Sequence, residues 1–153
     1  MLRFAVVPLE EEPARSLEEA MRDEMTELYG DLDLRHPRMP KAGPAELGPP
    51  GGAFLVGYDG DAPVCCGGIK ALPDGACEIK RMYVVPEARG RGVARALLAV
   101  LEDAARERGY AIARLDTGPR QPHAERMYRE AGYAPIANFN ANPVATFFGE
   151  KAL

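Results

Sequence analysis

The run Arg89-Gly90-Arg91-Gly92 is the segment of this sequence best suited to bind an anion. It follows a β-rich run and precedes an apolar helical pattern that begins at Ala94, which predicts a position at a helix N-terminus. Unpaired N–H groups and the positive end of the helix dipole meet at such a turn, and glycine lets the backbone approach a phosphate closely. The segment fits neither G-x-x-x-x-G-K-S/T nor G-x-G-x-x-G, since Arg95 occupies the third glycine position. The pattern therefore predicts a phosphate-bearing ligand outside the triphosphate and dinucleotide classes; the alternative is a basic, solvent-facing helix start.

The 153 residues carry a net charge of −4, and this charge is unevenly distributed. Residues 1–30 contain eight acidic residues and three arginines, a net charge of −5, whereas residues 78–95 contain five basic and two acidic residues, a net charge of +3. An acidic chain disfavours nucleic acids and membrane surfaces as partners, because both are anionic. RNA binding through the arginine-glycine run is therefore the least favoured alternative. No apolar run approaches the roughly 18 residues of a membrane span and no basic leader precedes an apolar core, so we expect a cytoplasmic protein with neither partner.

Two segments resemble one known family. Arg89, Gly92 and Ala94 match Q/R-x-x-G-x-G/A, a motif of the GNAT superfamily of N-acetyltransferases, and residues 121–133 (QPHAERMYREAGY) resemble its N-x-x-A-x-x-L-Y-x-x-x-G-F. The departures are Gln121 for Asn, Met127 for Leu and Tyr133 for Phe. The resemblance implies one acetyltransferase domain over residues 1–153 that moves an acetyl group directly from acetyl-CoA to a primary amine of a small-molecule acceptor. A non-catalytic CoA-binding sensor or regulatory module and a protein N-acetyltransferase are the alternatives, and a homodimer stays open.

The resemblance also implies which residues hold acetyl-CoA. The backbone from Arg89 to Ala94 would cradle the pyrophosphate, the pantetheine arm would pair with the strand around Met82 to Val84, and Gln121 would offer its amide to that arm. Ala124 would leave room beside Tyr128, because residues four apart share one face of a helix. The implied cofactor-binding residues are Met82, Tyr83, Val84, Arg89, Gly90, Arg91, Gly92, Val93, Ala94, Arg95, Gln121, Ala124 and Tyr128. No metal site is implied.

Acetyl transfer to an amine needs a neutral nucleophile, and this requirement sets the roles of the implied catalytic residues Glu78 and Tyr128. An amine of pKa about 10.4 is neutral in only about one part in 2,500 at pH 7, a deficit of roughly 4.6 kcal/mol, so a proton acceptor helps. Glu78 is the first candidate for this base, Asp116 and a water relay are the alternatives, and His123 is expected at the surface. Tyr128 is the candidate acid for the departing thiolate. Strict alternation would place Glu78 on the same strand face as Met82, and a β-bulge would change that assignment.

The three cysteines give no sign of chemistry. Their number is odd, and the neighbours Cys65 and Cys66 would point to opposite faces of a strand. We expect all three, with Cys77, to be reduced core residues, and direct transfer needs no thiol nucleophile.

Positioning these residues requires a strand, a helix and a second strand between Cys77 and Asp116, and the spacing predicts this parallel βαβ unit. A capping box of Ser16 and Glu19 predicts a first helix from Ser16 to Tyr29. The full set of predicted strands is 4–7, 53–58, 64–72, 77–85, 111–116, 133–137 and 144–148, with further helices from Ala94 to an end at Gly109 and over 122–131. The sequence thus predicts a single-domain α/β, GNAT-like fold with a mixed, mostly antiparallel sheet of six to seven strands and about four helices. Asp31 to Gly52 is rich in proline and glycine, and we expect it to be a substrate lid that selects the acceptor.

Overall fold

A central sheet organises the computed structural model, which describes residues 1–30 and 32–153. The elements in chain order are β1 (Leu2–Val6), α1 (Ala14–Tyr29), β2 (Ala53–Asp59), β3 (Ala62–Ala71), β4 (Cys77–Val84), α2 (Val93–Glu107), β5 (Ile112–Thr117), α3 (Pro122–Glu130), β6 (Ala134–Pro135) and β7 (Phe147–Ala152). The described strands form one seven-stranded sheet in the order β1-β2-β3-β4-β5-β7-β6. Among these described strands, only β4 and β5 pair in parallel. The predicted mixed α/β fold with a parallel βαβ core is confirmed, with three α-helices and a short 3-10 turn at Pro86–Ala88 in the described residues.

Two apolar layers cover the sheet on opposite faces. Phe54, Val56 and Tyr83 point to the face covered by α1, whereas Leu55 and Ile79 pack against α2 and the buried residues of α3. Neighbouring strand residues alternate between the two layers, as expected for a sheet buried on both sides. The cysteines follow the same rule: Cys65 and Cys77 lie in the α2 layer, and Cys66 lies in the α1 layer.

The start of α1 differs from the prediction. The helix begins at Ala14, and it has no side-chain cap. The expected box of Ser16 and Glu19 is wrong, because the Ser16 N–H donates to Glu12 Oε1 at 3.2 Å, an acceptor that precedes the helix. The helix ends as expected at Gly30, where φ is 61°.

The segment after α3 also departs from the prediction. The expected strand over 144–148 is displaced, since β7 begins at Phe147, and β6 is reduced to Ala134–Pro135. Asparagine side chains hold the backbone of residues 138–144 in successive turns ahead of β7. Residues 32–52 of the expected lid contain turns and no helix, and Asp31, its first residue, lies outside the described residues.

The strands β4 and β5 diverge soon after they pair. Their parallel register covers only Cys77 with Ala113 and Glu78 with Arg114. Beyond that point β5 stays paired with β7 as far as Thr117, while β4 follows β3. A gap therefore opens through the sheet between the second half of β4 and the end of β5.

A β-bulge lies in β4 beside this gap. Gly68 is opposite Lys80 and Cys66 is opposite Tyr83, so Arg81 and Met82 together face Gly67. Arg81 has φ of 60°, which produces the irregularity. The bulge corrects the face assignment made by strict alternation: Met82 packs with Ile79 in the α2 layer, and Tyr83 lies in the α1 layer with Glu78, Lys80 and Arg81.

Candidate active site

A cavity of about 760 Å³ passes through the gap between β4 and β5. Its α2 side is lined by the N-terminal turn of α2 and by Ala124 and Tyr128 of α3. Its α1 side is lined by α1, the 32–52 segment, and Lys80, Arg81 and Asp116. The splayed strands thus connect the predicted anion site to a second chamber on the opposite face of the sheet.

The turn before α2 has the geometry of an anion cradle. Gly90 and Gly92 have φ of 77° and 78°, and the space where a Cβ would stand is open at both. Gly92 occupies the N-cap position, and no side chain caps the first turn. The first N–H groups of α2 are therefore available to an anion.

The arginines of this turn are each paired with a carboxylate from a different element. Arg89 donates to Glu24 of α1 at 2.7 Å and to the Val84 carbonyl at 2.9 Å. Arg91 lies 3.7 Å from Asp59 of β2, and Arg95 pairs with Glu130 of α3. All six side chains are at least one-third exposed, so these ion pairs contribute little to stability. In this arrangement the backbone of the turn, rather than its arginines, is free to meet an anion.

The residues predicted on α3 lie together at the gap. Ala124 and Tyr128 line the cavity on one face of α3, and the Tyr128 hydroxyl donates to Met82 Sδ at 3.7 Å. Burial, with a smaller contribution from the charge of Asp116, raises the pKa of the Tyr128 phenol well above its usual range. The phenol is therefore a protonated hydrogen-bond donor at neutral pH. His123 also lines the cavity, although its side chain is exposed.

Gln121 is held by a residue that the sequence analysis did not single out. Its Oε1 accepts hydrogen bonds from the hydroxyl groups of Tyr29 at 3.1 Å and Thr117 at 3.4 Å, which leaves its NH2 group for another partner. The Tyr29 hydroxyl also accepts the Arg120 N–H at 3.2 Å. Tyr29 thereby ties the end of α1 to the turn before α3.

The two candidate bases differ in their access to the cavity. Glu78 is fully buried, is absent from the cavity lining and pairs with Lys80 at 3.1 Å. Asp116 lines the cavity. Asn140 joins them, since its Nδ2 lies 2.8 Å from both Glu78 Oε2 and Asp116 Oδ2. The structure brings the two carboxylates into one hydrogen-bond network, and of the two only Asp116 is in contact with the cavity.

A ladder of asparagines builds this network. The Oδ1 atoms of Asn138, Asn140 and Asn142 each accept the N–H of the residue two positions on, which is an Asx turn. Because each carbonyl is used locally, the Nδ2 groups of Asn140 and Asn142 point to the carboxylates, and Asn142 reaches Asp116 Oδ2 at 2.9 Å. The spacing N-x-N-x-N at 138–142 was the available sequence signal.

The wall of the α1-side chamber is apolar. It is formed by Met21 and Met25 of α1 and by Leu34, Met39 and Pro40 of the following segment. The helix positions 21 and 25 share one face, so helical periodicity signals their common direction. Residues 34–40 belong to the segment expected to be a substrate lid, and no periodic pattern singled out Leu34, Met39 and Pro40 within it.

The cysteines lie away from the cavity lining. All three are buried and unbridged. Burial raises the pKa of Cys65 and of Cys77 to about 11 and raises that of Cys66 further, so all three are neutral thiols at physiological pH. They are core residues, as expected, and do not supply a nucleophile.

Comparison with known proteins identifies the fold and its family. The family model described as "Acetyltransferase (GNAT) family" matches residues 14–133. An IAA acetyltransferase of Azospirillum brasilense is 35% identical over 99% of this chain and 93% of its own length. This chain belongs to the GNAT acetyltransferase family. It is therefore an acetyl-CoA-dependent N-acetyltransferase by family.

Solved structures of the family agree with the whole architecture. A protein of the acyl-CoA N-acyltransferase class from Klebsiella pneumoniae superposes with a TM-score of 0.78 at 29% identity, over 100% of this chain and 98% of that chain. The PaiA N-acetyltransferase of Thermoplasma acidophilum, solved in complex with coenzyme A, gives a TM-score of 0.71 at 14% identity, over 100% and 99%. Among the described helices of the GNAT chain, none is long and apolar enough to cross a membrane.

Proposed function

We propose that this protein transfers the acetyl group of acetyl-CoA to the primary amine of a small molecule, within one domain formed by residues 1–153. The cavity that passes through the β4–β5 gap carries the proposal, because it joins the anion cradle of α2 to a second chamber lined by Asp116. The IAA acetyltransferase name of the 35% identical relative supports a small-molecule acceptor.

The turn before α2 fits the pyrophosphate of acetyl-CoA. Open space at Gly90 and Gly92 and the uncapped N-terminus of α2 suit two phosphate groups, with Val93, Ala94 and Arg95 supplying the first N–H groups of the helix. The pantetheine arm would then run along Met82 to Val84, whose outer edge has no partner strand after Glu78 among the described residues. Gln121 would bind this arm through its NH2 group, and Ala124 would leave room for it.

The thioester supplies an activated acetyl group. The amine nitrogen forms a bond to the acetyl carbon, the carbon–sulfur bond breaks with its electron pair going to sulfur, and the nitrogen loses one proton. A backbone N–H of β4 beside the gap would stabilise the developing charge on the carbonyl oxygen. No acyl-enzyme forms, in agreement with the buried neutral thiols.

We assign the role of proton acceptor to Asp116, and we assign to Glu78 a supporting role through Asn140. Glu78 is fully buried, so a substrate amine reaches it only through a relay, whereas Asp116 faces the cavity. Asn140, held between them at 2.8 Å from each, fixes the orientation of the Asp116 carboxylate. Glu78 would therefore act by orienting Asn140 and Lys80.

Tyr128 would meet the departing thiolate. A phenol of pKa about 10 that protonates a thiolate of pKa about 8.5 works uphill by roughly 2 kcal/mol, and burial raises the pKa of Tyr128 further. The phenol therefore stabilises the sulfur by donating a hydrogen bond, and the thiolate takes its proton from water after the bond has broken.

Release of free CoA thiol from acetyl-CoA, followed across a panel of small primary amines, tests this function. We expect amine-dependent release and N-acetyl product by mass spectrometry, with kcat reduced more by Asp116→Asn than by Glu78→Gln. Binding of acetyl-CoA without transfer to any amine would instead identify a CoA-binding module. A larger loss of kcat in Glu78→Gln would return the role of base to Glu78.

A further inference from the structure

The chamber on the α1 side contains a buried arginine that lacks a close partner. Arg81 lines the cavity, and its side chain is 9% exposed. Its Nε has no hydrogen-bond partner among residues 1–30 and 32–153, and the nearest carboxylate, Glu18, is 4.0 Å away. Both oxygens of Glu18 already accept hydrogen bonds from Arg22 Nε, at 2.7 and 2.8 Å. Among the described residues, the one acid within ion-pair distance of this buried guanidinium group is therefore already hydrogen-bonded to another arginine.

An unpaired buried guanidinium group lowers the stability of the folded protein unless an anion binds to it. A buried charge without a paired and hydrogen-bonded partner destabilises the folded state. Guanidinium binds carboxylates in a planar, two-point geometry, which makes a carboxylate the fitting partner. Lys80, the neighbouring basic residue, already forms an ion pair with Glu78. Arg81 is therefore the basic side chain of this chamber that remains available to bind a ligand.

The rest of the chamber describes the other parts of the ligand. Asp116 offers a negative charge that attracts an ammonium group beside the gap, where acetyl transfer would occur. The wall of Met21, Met25 and Met39 offers an adaptable apolar surface of methionine side chains. Arg81 can bind a carboxylate, Asp116 can bind an ammonium group, and the methionine wall can contact an apolar side chain. These three features match the three parts of an amino acid with an apolar side chain.

We propose that the acceptor is an α-amino acid with an apolar side chain, and that Arg81 is the specificity residue that binds its carboxylate. This inference rests on the proposed function. Arg81 lies in the bulge of β4, so the same irregularity that aims Met82 at Tyr128 aims Arg81 at the acceptor chamber. Binding of the carboxylate at Arg81 holds the amine at Asp116.

The test compares amino acids with the amines that lack only the carboxylate, namely L-phenylalanine with phenethylamine and L-leucine with isoamylamine. In the unmodified protein we expect kcat/KM to be higher for each amino acid. Arg81→Gln should lower kcat/KM for the amino acids by about 100-fold, the effect of losing a charge-assisted pair, and should change it for the amines by less than about 3-fold. Arg81→Lys, which keeps the charge but loses the planar fork, should fall between.

Arg106→Gln is the matched control, because Arg106 lies on α2 outside the cavity lining and forms an ion pair with Asp103 of the same helix. It should leave both classes of substrate unchanged. Equal losses for amino acids and amines in Arg81→Gln, or a preference of the unmodified protein for the amines, would overturn the inference while leaving the acetyltransferase function intact. If no amine is acetylated, calorimetric titration of L-phenylalanine into the CoA-bound protein still decides the role of Arg81. Binding that Arg81→Gln abolishes supports it, and absence of binding to the unmodified protein refutes it.

Discussion

Tyr128→Phe is the substitution that separates an effect on the acetyl-transfer step from an effect on acetyl-CoA binding. It removes one hydroxyl and keeps the ring that packs edge-on against Tyr133, with ring centroids 6.2 Å apart. Within residues 1–30 and 32–153, the one hydrogen bond of that hydroxyl is a weak one to Met82 Sδ at 3.7 Å, so the free energy of unfolding should fall by less than about 1 kcal/mol. A hydrogen bond to a charged acceptor is worth about 1.5–3 kcal/mol, which predicts a loss of kcat of roughly 10- to 150-fold.

Steady-state kinetics with acetyl-CoA and a turned-over amine measure this loss. The KM for acetyl-CoA should change little, because the hydroxyl acts only when charge develops on sulfur. Since burial raises the pKa of Tyr128, the phenol stays protonated, and it should cause no alkaline fall in kcat below about pH 10. Tyr110→Phe is the matched control, because its hydroxyl donates to the Gly51 carbonyl outside the cavity. An unchanged kcat, or a higher KM for acetyl-CoA at constant kcat, would refute the assigned role.

Three further perturbations test the structure around the site. Gly92 has a φ of 78°, so Gly92→Ala should lower the free energy of unfolding by roughly 1–2 kcal/mol and weaken acetyl-CoA binding measured by calorimetry. The control Gly60→Ala, at a φ of 60° in the β2–β3 turn, should lower the free energy of unfolding by a similar amount and leave the Kd for acetyl-CoA unchanged. Asn140→Ala removes two hydrogen bonds to carboxylates and should lower the free energy of unfolding in urea by about 2–4 kcal/mol; an unchanged midpoint would contradict the network. Burial raises the pKa of Cys65 and Cys77 to about 11, so the stability of their neutral thiols is complete below the unfolded pKa of 9.0 and is lost as pH rises through 11. The urea midpoint should therefore be lower at pH 10.5 than at pH 8, and Cys65→Ala should reduce that difference.

The sequence carried the parts of the fold and site that depend on local patterns. Helical periodicity and glycine placement located α2 and its N-terminal turn, and the second motif located Ala124 and Tyr128 on α3. These features depend on residues close together in the chain, so their spacing encodes their geometry. The same applies to the antiparallel β2–β3–β4 meander, whose turns contain Asp-Gly pairs.

What the sequence missed depends on contacts between distant segments. The pairing of Asn140 with Glu78 spans 62 positions and that of Tyr29 with Gln121 spans 92, so neighbouring residues do not indicate the partner in either pair. The capping box at Ser16 failed because Glu12, a better placed acceptor, took the same N–H group. The faces of β4 required the position of the bulge, which alternation alone does not contain.

The bulge at Arg81 divides β4 into two halves of opposite phase. Upstream, odd-numbered residues such as Ile79 face α2, whereas downstream the even-numbered Met82 does. Deletion of residue 81 would restore regular alternation, and Met82 and Tyr83 would keep their present faces, because Lys80 already lies on the side opposite Ile79. The bulge is therefore a one-residue insertion that leaves both apolar layers in place. What it adds to the strand is one side chain, that of Arg81, on the α1 side of the sheet beside Lys80.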